Sequence, residues 1–203
     1  MYTLYIYNND SHRLERYKLE SYHKVPYTCF NTLYVSDFFS STSSTIGWTT
    51  TAFLNRYSES FKGNSPSVSL FRRIFEGGYV SESMHYAGLA ADSSFIPKNH
   101  TFPFCDQNHL ALYPAGYPKI SYGDIGVFVF ILQDALSSLG FCEGGLDGFF
   151  GFETQKALSS FCKYNNISFT SECNSVIWKS LTFQAAGCGF NEHIKYFNSY
   201  KTI

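Results

Sequence analysis

Charged residues are scarce in this sequence. Only 15% of its 203 residues are Asp, Glu, Lys or Arg, and the formal net charge is −1. A protein that binds the phosphates of a nucleic acid needs clustered Lys and Arg side chains. The composition therefore argues against a nucleic-acid partner.

Long apolar runs are also missing. The longest, VFVFIL at 127–132, is far shorter than the roughly 20 residues that a membrane-spanning helix needs. The first residues, MYTLYIYNND, have neither the basic start nor the small-residue cleavage site of a secretory signal. We therefore expect no membrane span and synthesis in the cytoplasm.

The cysteines do not form a metal-binding pattern, because none of them belongs to a CxxC pair. Without a secretory signal, reduced thiols are the default expectation. The sequence leaves the disulfide state open for all six: Cys29, Cys105, Cys142, Cys162, Cys173 and Cys188.

Several catalytic motifs are absent as well. The sequence contains no G-x-S-x-G nucleophile turn, no H-E-x-x-H zinc motif and no Gly-rich phosphate loop followed by Lys. A serine hydrolase of that type, a zincin and a nucleotide-binding enzyme are therefore disfavoured.

Aromatic residues are abundant, with 21 Phe and 16 Tyr. Aromatic side chains bury a large area at the cost of few rotamers, and a net charge near zero gives little repulsion between copies. We therefore expect self-association, through the N-terminal hairpin or through the C-terminal tail, residues 184–203.

The first part of the chain, residues 1–115, has the pattern of a mixed domain. MYTLYIY alternates as a strand does, and NNDS supplies turn residues, which predicts a β-hairpin. AFLNRYSESF at 52–61 follows a Thr-rich stretch that can cap a helix. VSLFRRIFEGG predicts a second short helix that ends at Gly77-Gly78. The expected fold class is α+β with a small antiparallel sheet.

The second part, residues 116–183, has helical periodicity. YPAGYPKISYGD at 113–124 reads as a connector because of its Pro and Gly residues. Apolar residues then recur at helical spacing in GDIGVFVFILQDALSSLGF, in QKALSSFCKYNN and in NSVIWKSL. Three short helices in about 60 residues predict a small three-helix bundle.

The bundle sequence resembles the peptidoglycan-binding domain of bacterial wall hydrolases. That family has Leu-Gln on its first helix, a DG-x-(F/Y)-G-x-x-T turn and a Trp near its end. The matching residues are Leu132-Gln133, Asp147-Gly148, Phe150-Gly151, Thr154 and Trp178. The resemblance implies peptidoglycan as a partner, with Asp147, Gly148, Phe150, Gly151 and Thr154 forming the turn. Building the turn is a more economical role for Asp147 and Thr154 than sugar contact.

The first domain carries a second motif. SMHYAGLAAD at 83–92 matches S-x-H-x-x-G-x-A-x-D and resembles the first metal motif of zinc D-Ala-D-Ala carboxypeptidases, whose fold is shared with the Hedgehog signalling domain. The resemblance implies that His85 and Asp92 bind zinc. A second His from a later strand completes the site in that family, and water occupies the open fourth position.

The third ligand is where the sequence departs from this family. The chain as a whole resembles two-domain Firmicute proteins, many of them sporulation-associated, in which a strand before the linker carries the last ligand. Its counterpart is TFPFCDQ at 101–107, with Pro103 at the position of the His. Proline has no ligand atom, so the resemblance predicts a degenerate peptidase domain that binds no zinc and has no catalytic residue.

A replacement ligand is the alternative. His100, Cys105, Asp106 and His109 are close to Pro103 in sequence, but an offset of three residues on a strand is about 10 Å. One of them reaches the site only if the backbone changes course.

Three functions are therefore compatible with the sequence. The first is a cell-wall or spore-layer protein with an inactive peptidase-like domain and a peptidoglycan-binding bundle. The second is an active zinc D,D-carboxypeptidase or endopeptidase that acts on peptidoglycan stem peptides. The third is a self-assembling structural spore protein. For each, we expect synthesis in the cytoplasm and deposition in a spore or cell envelope.

Overall fold

The chain divides into two compact units. The computed structural model describes residues 1–31, 33–62, 68–106, 109–114, 116–142 and 144–187. The first unit comprises Met1–Arg72 and Met84–Ala115, and the second comprises Arg73–Ser83 and Gly116–Ile203. The sequence assigned all of residues 1–115 to the first domain, whereas the structure places Arg73–Ser83 in the second unit. The fold class is α+β, as predicted.

The N-terminal hairpin is confirmed. Its strands pair antiparallel, and the Asn8 side-chain oxygen accepts hydrogen bonds from the backbone N–H groups of Asp10 and Ser11 in the turn. A third strand pairs parallel with the first, which the antiparallel expectation did not include. The strands are β1 (Tyr2–Asn8), β2 (Arg13–Leu19) and β3 (Ile46–Thr50), in the order β2-β1-β3.

The helix predicted at 52–61 is confirmed as Thr51–Phe61. It is the second helix of the chain, α2, after the short α1 (Val35–Phe38). The Thr50 hydroxyl caps α2 by accepting a hydrogen bond from the backbone N–H of Phe53. Its inner face buries large aromatic side chains, so the helix lies against the core of the first unit.

The helix predicted from VSLFRRIFEGG is wrong. The structure has a two-residue strand there, β4 (Val68–Ser69), and a single 3-10 turn over Ile74–Glu76. Between them the backbone is held by distant partners, since the Phe71 N–H donates to the Phe38 carbonyl. Such long-range hydrogen bonds override a weak local helix propensity.

A second sheet of the first unit is antiparallel throughout. Its four strands lie in the order β4-β5-β7-β6. The remaining three strands are β5 (Ala90–Ser93), β6 (Phe104–Asp106) and β7 (His109–Ala111). β5 and β7 are the two central strands, so side chains on them are brought side by side.

The second unit contains the three predicted helices. The first two occur where the periodicity placed them, and the third is longer than predicted because it continues to Gly187. The helices are α3 (Val127–Ser138), α4 (Phe152–Tyr164) and α5 (Ser175–Gly187). Two short strands, β8 (Ile120–Ser121) and β9 (Glu172–Cys173), pair antiparallel beside them. The predicted tail, 184–203, is therefore helical to 187, and residues 188–203 lie outside the described part.

Trp178 is at the centre of this unit. Its side chain and that of Phe161 are fully buried, as predicted. The indole N–H donates a hydrogen bond of 2.8 Å to the Pro118 carbonyl, and the Tyr117 ring packs edge-on at 5.0 Å. Trp178 thus joins α5 to the segment that enters the bundle.

Replacing Trp178 by Phe tests this hydrogen bond. The ring remains apolar, but the hydrogen bond to the Pro118 carbonyl is lost, and such a bond contributes about 0.5–1.5 kcal/mol. We expect the free energy of unfolding to fall by that amount in urea denaturation followed by circular dichroism. Val176 is exposed on the same helix, so Val176→Ala should stay within about 0.5 kcal/mol of the parent. Equal stability of both variants would contradict the assignment.

The segment Arg73–Ser83 is an integral part of the second unit. The Arg73 guanidinium forms an ion pair with the Asp134 carboxylate on α3, and the Ile74 N–H donates to the same carboxylate at 3.2 Å. Gly77 packs so tightly that a Cβ there would lie 2.9 Å from the Ala186 carbonyl oxygen. Burial raises the pKa of Asp134, and Arg73 opposes this rise. The bundle is thus completed by residues far upstream of its helices.

Candidate metal centre

Three side chains that can bind a metal converge in the first unit. They are His85, Asp92 and His109, and one ligand atom from each lies within 4.8 Å of the others. His85 is buried, while Asp92 and His109 are partly exposed. The cluster therefore has an inner, packed side and an outer side that solvent or a substrate can reach.

His85 is held rigidly in a tight turn. Its Nδ1–H donates a 2.7 Å hydrogen bond to the Leu70 carbonyl oxygen, since a carbonyl can only accept. Its Nε2 lies 3.3 Å from Oδ1 of Asp92. Metal-binding histidines commonly donate one ring N–H to a carbonyl, which fixes the tautomer and directs the other nitrogen at the metal.

Asp92 and His109 are cross-strand partners. Asp92 on β5 is directly opposite His109 on β7 in the antiparallel register. Side chains of directly opposed residues project from the same face of a sheet, about 5 Å apart. The His109 ring centre lies 5.2 Å from that of His85. The sheet register therefore places Asp92 and His109 next to each other and close to His85.

The donor set suits zinc. Two imidazoles and one carboxylate are typical of catalytic zinc sites, which keep a fourth position open for water. Nε2 of His85 faces the Asp92 carboxylate at 3.3 Å, so both groups can contact one cation.

Gly88 explains why this turn fits beneath the cluster. Its φ is +67°, and a Cβ there would lie only 1.9 Å from the Trp48 carbonyl oxygen. The Thr49 hydroxyl donates a 2.7 Å hydrogen bond to the Gly88 carbonyl, and the Trp48 indole donates to Tyr86. The Gly of the motif therefore allows the turn that carries His85 to dock on β3.

The structure does not bring position 103 into the cluster. Pro103 is exposed and precedes β6, whereas His109 begins β7. The backbone does change course, because β6 and β7 are antiparallel neighbours. Sequence reasoning named His109 only as one of four nearby alternatives. The feature that it missed was the antiparallel pairing of residues 104–106 with 109–111, which counting residues along one straight strand does not reveal.

The turn of the second unit is organised by Gln133. Its amide nitrogen donates to the Asp147 carboxylate at 2.7 Å and to the Thr154 hydroxyl at 3.1 Å. Its amide oxygen accepts from the backbone N–H groups of Asp147 and Gly148. Asp147 also accepts from the N–H of Phe149 at 2.9 Å. The Gln133 amide nitrogen also lies 3.1 Å from the Phe149 carbonyl oxygen, so one buried side chain holds the turn through five hydrogen bonds.

The other residues of this turn are packed into the fold. Phe150 and Thr154 are buried, and Gly148 has a φ of +69° with the Phe130 ring where a Cβ would be. Gly151 precedes α4 as its N-cap. The side chains of this motif thus form the turn itself. Asp147 is exposed, but its carboxylate is engaged by the turn.

Comparison with known families bears on the second unit. Residues 128–182 match the family described as "Putative peptidoglycan binding domain". No curated protein matches the chain. The family match agrees with the resemblance carried by Gln133, Asp147 and Trp178, and it supports a cell-wall-associated protein with peptidoglycan as its partner. Within the described residues, no helix has the length and apolar character needed to cross a membrane.

Proposed function

We propose that this protein is a zinc-dependent peptidase of the cell wall. The second unit binds peptidoglycan, and the first unit hydrolyses its stem peptides at the His85–Asp92–His109 cluster. The observation that supports this choice over an inactive domain is the position of His109 beside Asp92, which supplies a third ligand. If His109 is the third ligand, the proline at position 103 is no longer a reason to exclude metal binding.

Each ligand has a definable role. Zinc, when bound, supplies a Lewis acid that activates water at neutral pH. His85 provides a ligand atom whose direction is set by its hydrogen bond to Leu70. Asp92 supplies negative charge, and the partly exposed His109 and Asp92 border the side from which a peptide can approach. The packed turn beneath His85 excludes water from the inner side.

The cellular setting follows from the substrate. A stem-peptide hydrolase must meet peptidoglycan, so we place the protein in a spore or cell envelope after its synthesis in the cytoplasm. The family match at 128–182 supports the peptidoglycan partner from which this placement is inferred.

Hydrolysis of defined peptides tests the function. The full chain, loaded with zinc, should release D-Ala from a pentapeptide ending in D-Ala-D-Ala or cleave cross-linked stem peptides, as measured by mass spectrometry. His85→Gln, which removes a ligand while keeping a polar side chain, should reduce the rate at least about a hundredfold, since even the loss of an outer-shell partner of a metal ligand costs about 10–100-fold. Insoluble peptidoglycan should also retain the parent protein in a pull-down.

Two results would contradict the proposal separately. A zinc-loaded protein without hydrolytic activity on either substrate would leave a wall-binding protein with an inactive first unit. A protein that does not sediment with peptidoglycan would remove the wall-binding role of the second unit.

A further inference from the structure

A polar groove crosses the surface of the second unit. It lies between the segment after α3 and one face of α4, and its volume is about 230 Å³. The groove has a floor of buried side chains, one aromatic wall and a polar rim. These are Cys142 and Ala157 on the floor, Phe141 on the wall, and Glu153, Lys156 and Ser160 on the rim.

The rim presents both signs of charge from a single helix face. Glu153, Lys156 and Ser160 follow each other at intervals of three and four residues on α4, which places them on the same side. All three are exposed. No ion pair joins Glu153 to Lys156 in the described part of the chain. Each charge is therefore available to a ligand.

The aromatic wall has a defined orientation. The Phe141 ring packs edge-to-face against the rings of Phe161 at 5.4 Å and Tyr164 at 5.8 Å. Phe161 is fully buried, so this contact anchors the wall to the core. The aromatic wall of the groove is therefore packed against the core of the second unit.

Two other surfaces of this unit are less suited to a polar ligand. The turn that carries Asp147 uses its polar side chains for its own hydrogen bonds. A second groove of this unit is lined by Tyr79, Phe183 and neighbouring uncharged residues. The groove beside Glu153 and Lys156 combines a cavity with two charges.

We propose that this groove binds the stem peptide of peptidoglycan, so that the second unit recognises the peptide part of the polymer. The inference rests on the proposed function. Stem peptides carry carboxylates, which suit Lys156, and amino groups, which suit Glu153. Pockets for drug-sized ligands are about 300–1,000 Å³. This smaller groove suits one or two amino-acid residues better than a run of sugar rings.

Binding of soluble fragments tests the proposal. The full-length parent should bind a disaccharide carrying a stem peptide, but not a chitin oligosaccharide without peptide, in isothermal titration calorimetry. Lys156→Glu should weaken binding about tenfold, because it replaces an attraction with a repulsion at the rim. Glu153→Gln should weaken it by a smaller factor. Lys163→Glu is the matched control, since Lys163 is exposed on the same helix but does not line the groove.

The outcomes separate this inference from the function on which it rests. A parent that binds the peptide-bearing fragment while Lys156→Glu and Lys163→Glu match it would overturn the groove and leave peptidoglycan binding intact. Equal binding of the peptide-free oligosaccharide would replace the peptide with the glycan as ligand. A parent that binds neither fragment and is not retained by insoluble peptidoglycan would overturn both. Thermal unfolding of each variant shows that the fold is retained.

Discussion

Replacing His109 by Ala should abolish stoichiometric zinc binding. The parent should retain close to one equivalent of zinc after dialysis against a weak chelator, because three protein ligands and water complete a tetrahedral site. The variant keeps only His85 and Asp92, and two ligands do not hold zinc in a catalytic geometry. We expect its zinc content to fall to well under one tenth of an equivalent, as measured by atomic emission on the purified protein.

The control for this experiment removes a histidine from outside the cluster. His12 is exposed in the N-terminal hairpin and has a positive φ, which Asn tolerates, so His12→Asn should retain zinc. The parent itself also provides a test. If it retains little zinc under the same dialysis, the expectation drawn from Pro103 stands and the proposed peptidase activity does not.

Replacing Arg73 by Met should destabilise the second unit by about 3–5 kcal/mol, because it leaves a buried charge without its partner. Asp134 is almost completely buried, and Arg73 is its cationic partner. Urea denaturation of the full chain measures the effect. Lys179 is exposed on α5, so Lys179→Met should change the stability by less than about 0.5 kcal/mol.

The effect of Arg73→Met should depend on pH in a defined direction. Burial raises the pKa of Asp134, and loss of Arg73 removes a factor that lowers it. A carboxylic acid whose pKa is raised on folding destabilises the folded state at any pH above its pKa in the unfolded chain. In more acidic solution it is protonated in both states and has no such effect. The deficit of the variant should therefore be largest at neutral pH and shrink in acid.

A double variant separates the charge from the packing. Arg73→Met combined with Asp134→Leu replaces the buried pair with apolar side chains, which is often neutral or stabilising. It should recover most of the stability lost in Arg73→Met. A single variant as stable as the parent would show that Arg73–Ser83 is not part of the folded second unit.

Local patterns in the sequence determined much of the fold. The alternation of Tyr2–Asn8 and its turn predicted the hairpin, because strand faces repeat every two residues and Asn8 bonds to its own turn. The spacing of apolar residues in Val127–Ser138 predicted α3, because one face of a helix repeats every three to four residues. Gln133 lies only 14 positions before Asp147 and 21 before Thr154, so the motif that they form was identified from the sequence.

The tertiary structure alone decided the features that depend on distant partners. The stretch at 68–78 has a helical composition, yet contacts such as that of Phe71 with Phe38 hold it out of a helix. Arg73 reaches Asp134 across 61 positions of sequence, which no local pattern encodes.

The candidate metal centre shows the same difference between residues placed by a local pattern and residues placed by distant contacts. His85 and Asp92 were identified from a motif ten residues long, because one turn and one strand place them. His109 was not selected, because its position depends on the pairing of β7 with β5. A one-residue change in that register would move His109 to the opposite face of the sheet. The sequence by itself determined two of the three residues of the cluster, and only strand pairing in three dimensions decided the third.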